Sequence, residues 1–128
     1  MKVALIYKKS VWELFSNSKD SNVSSYISGR VEAREAFQES HQTQQNTIQN
    51  VKRTLSASGA EINMVYRSEI TESVISSADL VISVGGDGTF LETSHYITDS
   101  TPILGVNSDP DRSIGFFCSC TGDNFEEL

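Results

Sequence analysis

Apolar residues along this chain occur in short runs separated by longer stretches of mixed polarity. Val3 to Tyr7 is continuously apolar, which is typical of a strand buried on both faces. Three further runs, rich in apolar and β-branched residues, also predict strands: Ile62 to Tyr66, Leu80 to Val84 and Ile103 to Val106. The pattern therefore predicts four strands.

The longest stretch between these runs has helical periodicity. From about Arg30 to Ser58, apolar residues recur at helical intervals, as at Ile48, Val51 and Leu55. Gly59 is placed to end this helix, because glycine readily adopts the conformation of a helix C-terminus. We predict one long helix here.

Two shorter helices are predicted over Ile70 to Ser77 and Phe90 to Ile97. Strands that alternate with helices imply right-handed crossovers and parallel pairing. We therefore expect an α/β fold, a Rossmann-like, open, mostly parallel sheet with flanking helices. Residues 1–128 are too few for two well-packed cores and predict a single domain.

The most polar stretches predict less regular structure. Residues 15–29 are rich in Ser, Asn and Asp and predict a flexible loop, and Gln44 to Asn46 predicts a solvated helix face. Asp123, followed three residues later by Glu126, has the pattern of a capping box that opens a helix. Because Leu128 falls within the first turn of that helix, we expect the chain to belong to something longer.

Composition excludes several classes of protein. Ten basic and seventeen acidic residues give a net charge of −7, which argues against nucleic-acid binding. No apolar run approaches the roughly 20 residues of a membrane span. A strand that starts at Val3 leaves no room for a targeting segment, so we expect a cytoplasmic protein. Cys118 and Cys120 predict buried thiols, and no residue is assigned to a metal site.

The third predicted strand runs directly into Gly85-Gly86-Asp87-Gly88-Thr89, and a predicted helix follows. Glycines at such a junction allow a tight turn and close approach to a ligand, and the first amides of the helix bind anions. No Lys-Ser or Lys-Thr follows, which excludes a Walker P-loop, and Leu91 occupies the last glycine position of the dinucleotide fingerprint. The motif therefore predicts a phosphate site of another kind.

Asp87 is the residue that indicates chemistry. A carboxylate among phosphate-binding amides repels the ligand unless it accepts a proton or holds a cation that bridges to the phosphates. Both roles suit phosphoryl transfer. The alternative is that Asp87 only caps the helix, with the glycines forming an ordinary strand-to-helix turn.

A second polar loop follows the fourth strand. Parallel strands present their carboxyl ends at one edge, so Asn107 and Asp109 are expected in the same crevice as Asp87. Asn107 is suited to orient a hydroxyl and Asp109 to hold a metal or a ribose, or both form a simple turn before Pro110. Basic residues near this edge are either phosphate ligands or solvated side chains: Lys8, Lys9 and Arg112.

The two motifs together resemble the NAD kinase family. The residues that carry the likeness are Val84 to Leu91 and Gly105-Val106-Asn107. Within the family, Asn107 to Pro110 with Gly115 is similar to the mitochondrial and plant NADH-kinase-like branch. The resemblance implies an α/β domain completed by an all-β domain that this chain lacks. It also implies a homo-oligomer in the complete protein.

The resemblance implies a reaction and a set of site residues. The reaction is phosphorylation of the adenosine ribose 2′-hydroxyl of NAD or NADH, with ATP or polyphosphate as donor and Mg²⁺ as cofactor. Asp87 is then the catalytic residue, in contact with the ribose. The implied nucleotide-binding residues are Gly85, Gly86, Gly88, Thr89, Asn107, Asp109 and Phe116. The family's downstream Asn-Glu pair has no counterpart, so we expect the chain alone to turn over little or nothing.

Two other functions remain open from the sequence. Diacylglycerol-kinase-like lipid kinases also use Gly-Gly-Asp-Gly-Thr, although they usually continue with an Asn-Glu stretch where this chain has Phe90-Leu91-Glu92. A noncatalytic nucleotide-binding domain would keep the fold and bind without turnover.

Overall fold

The computed structural model describes residues 1–8, 31–110, 115 and 118–125. It contains five strands, β1 (Lys2–Tyr7), β2 (Glu61–Tyr66), β3 (Leu80–Gly85), β4 (Ile103–Asn107) and β5 (Cys120–Thr121). Three α-helices, α1 (Val31–Ala57), α2 (Glu72–Ser76) and α3 (Asp87–Ser94), and a 3-10 helix (Arg67–Glu69) connect them. Within the described ranges, no helix combines the length and the apolar character needed to cross a membrane.

The five strands form one sheet in the order β2-β1-β3-β4-β5, and every pairing is parallel. At its carboxyl edge, Tyr7 lies opposite both Tyr66 and Val84, and Asn107 lies opposite Gly85. The apolar runs end at this edge, so Lys8, Gly86 and Ser108, the first residues after β1, β3 and β4, lie along one edge of the sheet.

One face of the sheet is covered by α1. Ile48, Val51 and Leu55 project from this helix onto the alternate strand residues that point towards it, and all three are buried. The helix ends before Gly59, which has φ +82°, a backbone conformation that favours glycine. The core on this face also contains Val3, Leu5, Ile82, Val84, Val106, Cys120 and Phe125.

The opposite face is covered by α2 and by the region around α3. Ala4, Ile6 and Val81 point to this side and pack with Ile70 and Ile75. Thr71 caps α2, because its side chain accepts a hydrogen bond from the Val74 amide at 3.2 Å. This short helix depends on the buried Ile75 for its anchorage.

The α/β fold, the four predicted strands and the three predicted helices are confirmed, with shifted ends. The third helix begins at Asp87 and not at Phe90. β5 was not predicted, and only Cys120 of the two cysteines lies on it. The flexible loop over 15–29 falls outside the described residues, as does Glu126 of the predicted capping box.

Candidate functional site

The strand order creates a crevice at the carboxyl edge of the sheet. From β1 the chain crosses to β2 on one side and then returns to β3 on the other. The helices that come next after β1 and β3, α1 and α3, therefore lie on opposite faces of the sheet. Ligands of open α/β sheets bind at such a switch point, and Gly85 to Thr89 begin directly beside it.

The glycine turn forms the N-terminus of α3. Gly86 is the N-cap residue, with φ −102° and ψ −166°, and Asp87 is the first helical residue. The Phe90 amide donates to the Gly86 carbonyl at 3.2 Å, so the amides of Gly88 and Thr89 are directed towards the end of the helix. Together with the helix dipole, they form an anion-binding end.

Gly85 and Gly88 contribute to the turn in different ways. A Cβ atom on Gly85 would lie 2.7 Å from Oγ1 of Thr89, so only glycine allows α3 to start this close to β3. Gly88 is exposed, and a Cβ atom there would meet nothing nearer than 3.8 Å. The fold therefore requires Gly85 for packing, whereas Gly88 keeps the outer surface of the turn open.

Asp87 is half-buried at the mouth of this turn. Its carboxylate lies close enough to Cys118 to influence that thiol: burial first, and then the charges of Asp87 and Cys120, raise the pKa of Cys118. Burial also raises the pKa of Cys120. Cys120 is buried as predicted, Cys118 is half-buried, and both are free thiols.

Arg67 is a residue at this edge that the sequence did not indicate. It lies in the 3-10 helix after β2, two strands away from β3 in the sheet. Its Nε donates to the Glu92 carboxylate of α3, and its Nη2 and Nη1 lie 3.8 and 3.9 Å from the position of a Cβ atom on Gly88. A strand followed by an arginine was the available signal, since β2 ends at the same edge as β3.

The loop after β4 joins the glycine turn, as predicted. The Ser108 amide donates to the Gly85 carbonyl at 3.1 Å. Asn107 is 4% exposed, and its Oδ1 accepts a hydrogen bond from the Asp109 amide at 3.1 Å. Gly115, at φ +63°, packs over Asn107, where a Cβ atom would collide with the side-chain amide. The Asx-type turn is present, while a ligand-binding role for Asn107 stays a prediction.

The polar face of α1 holds two of these loops. Gln44 donates from Nε2 to the Lys8 carbonyl, and Ser40 donates to Oδ2 of Asp109 at 2.5 Å. Thr47 is within 3.5 Å of the Ser108 carbonyl. Gln44 is 3% exposed, so the prediction of a solvated face is wrong for this residue. Its partner is a backbone carbonyl 36 residues away in sequence.

Some of the predicted site lies outside the described residues. Phe116, Lys9 and Arg112 belong to this part of the chain, and their predicted roles stay predictions. In the described ranges, no three His, Cys, Asp or Glu side chains lie together as a metal cage. Mg²⁺ in phosphoryl-transfer sites is commonly bound through one or two carboxylates plus substrate phosphates. Asp87 beside the amides of α3 fits that mode of binding.

Comparison with known proteins relates this chain to one family. Residues 4–126 match the ATP-NAD kinase N-terminal domain. The chain is 37% identical over 125 residues to an NADH kinase of Arabidopsis thaliana. The alignment covers 86% of this chain and 36% of the plant protein. It is 39% identical over 72 residues to human NAD kinase 2, mitochondrial, covering 56% of this chain and 16% of that protein.

A solved structure has the same fold. The crystal structure of an NAD kinase from Archaeoglobus fulgidus in complex with ATP aligns with 99% of this chain and 34% of its own, with a TM-score of 0.57 and 19% sequence identity. The chain thus spans about a third of the length of the plant relative and of this archaeal enzyme.

Proposed function

The chain belongs to the ATP-NAD kinase family, and on this premise we propose that it serves phosphoryl transfer from ATP or polyphosphate to the adenosine ribose 2′-hydroxyl of NAD or NADH. The observation that carries the proposal is the position of Asp87. A single half-buried carboxylate stands in the first turn of α3, next to amides directed at an anion. A helix cap alone does not require the exposed, open Gly88 beside it.

In the proposed reaction, Asp87 accepts the proton of the 2′-hydroxyl. The freed oxygen forms a bond to the terminal phosphorus of the donor, and the bond from that phosphorus to the bridging oxygen breaks, releasing ADP when ATP is the donor. The amides of Gly88 and Thr89, with Gly85 and Gly86 shaping the turn, hold phosphate oxygens. In its alternative role, Asp87 would hold Mg²⁺, which would neutralise phosphate charge.

The loop after β4 is proposed to bound the nucleotide on its other side. Asn107 and Asp109 are held by each other and by Ser40, so their positions are fixed before a ligand arrives. A fixed loop lowers the entropic cost of binding. Phe116, which follows Gly115, is proposed to pack near adenine.

Several properties of the complete protein stay proposals from the family. These are an all-β domain that supplies much of the NAD site, a homo-oligomeric assembly and the preference between NAD and NADH. Family membership favours NAD kinase chemistry over the lipid kinases that share the glycine motif. A cytoplasmic location stays a prediction, and the animal relatives carry the word mitochondrial in their names.

The test is NADP formation by the protein in its natural length, followed with an NADP-specific dehydrogenase. Asp87→Asn keeps the size of the side chain and removes the base, so the rate is expected to fall about 10²–10⁴-fold. Asp99→Asn is the matched control, because it makes the same change in a fully exposed residue before β4, at the opposite edge of the sheet. Equal rates for the two variants would contradict the role of Asp87, and binding without turnover by the unaltered protein would favour a noncatalytic domain.

A further inference from the structure

We propose that Arg67 binds a phosphoryl group of the nucleotide held at the turn formed by Gly85 to Thr89. The proposal rests on the proposed function only in assuming that this turn binds a nucleotide. It adds a ligand from β2, a strand that carries no part of the glycine motif.

Arg67 reaches across the carboxyl edge of the sheet. Its 3-10 helix follows β2, and α3 follows β3, with β1 between the two strands. The Arg67 side chain spans this gap, which brings Nη2 to 3.8 Å from the Cβ position of Gly88. A residue with any side chain at position 88 would occupy the space in front of the guanidinium. Glycine leaves that space open between two groups that both bind anions.

The Arg67 guanidinium is oriented by a contact with α3. Glu92, one helical turn after Gly88, accepts from Nε and fixes the plane of the group. For Nη1 and Nη2 the described part of the chain offers no hydrogen-bond acceptor. The Arg67 and Glu92 side chains are 36% and 37% exposed, so the two terminal nitrogens are accessible to a ligand. An arginine held at Nε presents its other donors in the planar fork that matches phosphate.

The charge of Arg67 is opposite to that of Asp87 and of a bound phosphate. Asp87 places a negative charge beside the amides of α3, and a polyphosphate adds several more. The Arg67 guanidinium supplies a positive charge at the same turn and offsets this repulsion. The turn therefore combines the guanidinium of Arg67 with the first amides of α3.

The phosphoryl group has two sources in the proposed reaction, the polyphosphate of the donor and the diphosphate of NAD. Three probes separate them: inorganic tripolyphosphate, ATP and NAD, each titrated into the protein by isothermal calorimetry. Arg67→Gln is expected to weaken binding of at least one probe about tenfold, since a charge-assisted contact to phosphate is lost. If Arg67→Gln weakens binding of tripolyphosphate and ATP, Arg67 contacts the phosphoryl donor. If it weakens binding of NAD alone, Arg67 contacts the diphosphate of the dinucleotide.

Arg53→Gln is the matched control, because Arg53 is exposed on α1 and the substitution changes the net charge equally. Arg67→Lys keeps the charge and loses the planar fork, and it is expected to weaken the same probe about threefold. This variant carries the test if Arg67→Gln lowers the unfolding temperature.

The proposal is overturned if the Arg67 and Arg53 variants bind all three probes alike, or if the unaltered protein binds none of them. Its failure is distinct from failure of the proposed function. A protein that binds tripolyphosphate through Arg67 but forms no NADP supports this proposal and contradicts kinase activity. If the unaltered protein forms NADP and Arg67→Gln changes neither the affinities nor the rate, the proposed function is supported and the role of Arg67 is contradicted.

Discussion

Two glycines in one turn are expected to respond in opposite ways to the same added methyl group. Gly85→Ala places a Cβ atom 2.7 Å from Oγ1 and 3.0 Å from Cβ of Thr89. Non-bonded carbon atoms prefer about 3.5–4.0 Å, and Thr89 is 1% exposed, so it has little space to move away. Gly88→Ala places its methyl group 3.8 Å from Nη2 of Arg67, its nearest neighbour among the described residues, which is ordinary contact.

The magnitudes follow from these contacts. Overpacking a buried site costs about 1–3 kcal/mol, so we expect Gly85→Ala to lower the free energy of unfolding by about 2 kcal/mol. For a domain of this size that corresponds to a fall of roughly 6–10 °C in the unfolding temperature. Gly88→Ala replaces glycine within a helix and is expected to stabilise the fold by about 0.4–1 kcal/mol. Its methyl group enters the proposed phosphate position, so ATP affinity is expected to fall about tenfold.

Two measurements on the same samples test this pair. Guanidinium denaturation followed by circular dichroism gives the free energy of unfolding, and calorimetry gives the affinity for ATP. Each variant serves as the control for the other, because both add one methyl group to the same turn. A Gly85→Ala protein as stable as the unaltered one would refute the packing argument. A Gly88→Ala protein with unchanged ATP affinity would refute the position of the site.

Two further predictions concern the supports of the site. Gln44→Leu leaves the Lys8 carbonyl without its donor and is expected to lower the free energy of unfolding in urea by about 1–3 kcal/mol. Gln49→Leu, on the exposed side of the same helix, is expected to change the free energy of unfolding little. Equal losses for the two variants would contradict the contact between Gln44 and the Lys8 carbonyl. Cys118, in a Cys120→Ser background, is expected to react with iodoacetamide more slowly than a free thiol, because its raised pKa lowers the thiolate fraction. Asp87→Asn removes one cause of that shift and is expected to speed the reaction, and an unchanged rate would contradict the proximity of Asp87 to the thiol.

The sequence predicted the parts of the fold that depend on local patterns. The strand Leu80–Gly85 is marked by consecutive β-branched residues and the end of α1 by Gly59, and both were found. The α3 start was placed too late because Asp87, Gly88 and Thr89 are weak helix formers on propensity alone. At the N-terminus of a helix these residues suit the first turn, where the amides have no partner inside the helix.

The parts that the sequence did not predict depend on distant contacts. β5 has only two residues, and its pairing with β4 is set by the sheet and not by its own composition. The partners of Gln44 and Arg67 lie 36 and 25 residues away in sequence. No periodicity within one segment reports such pairs. The glycine motif was recognisable because its chemistry is contained in five consecutive residues.

The proposed function and the proposed role of Arg67 both require that nucleotide binds at the turn between β3 and α3. A titration of the ¹⁵N-labelled protein with ATP, followed by amide chemical shifts, tests for binding at this turn. The largest shifts are expected on the amides of Gly86, Gly88 and Thr89, with a smaller response at Ser108, which donates to the Gly85 carbonyl. Shifts concentrated at the opposite edge of the sheet, with these amides unchanged, would contradict it.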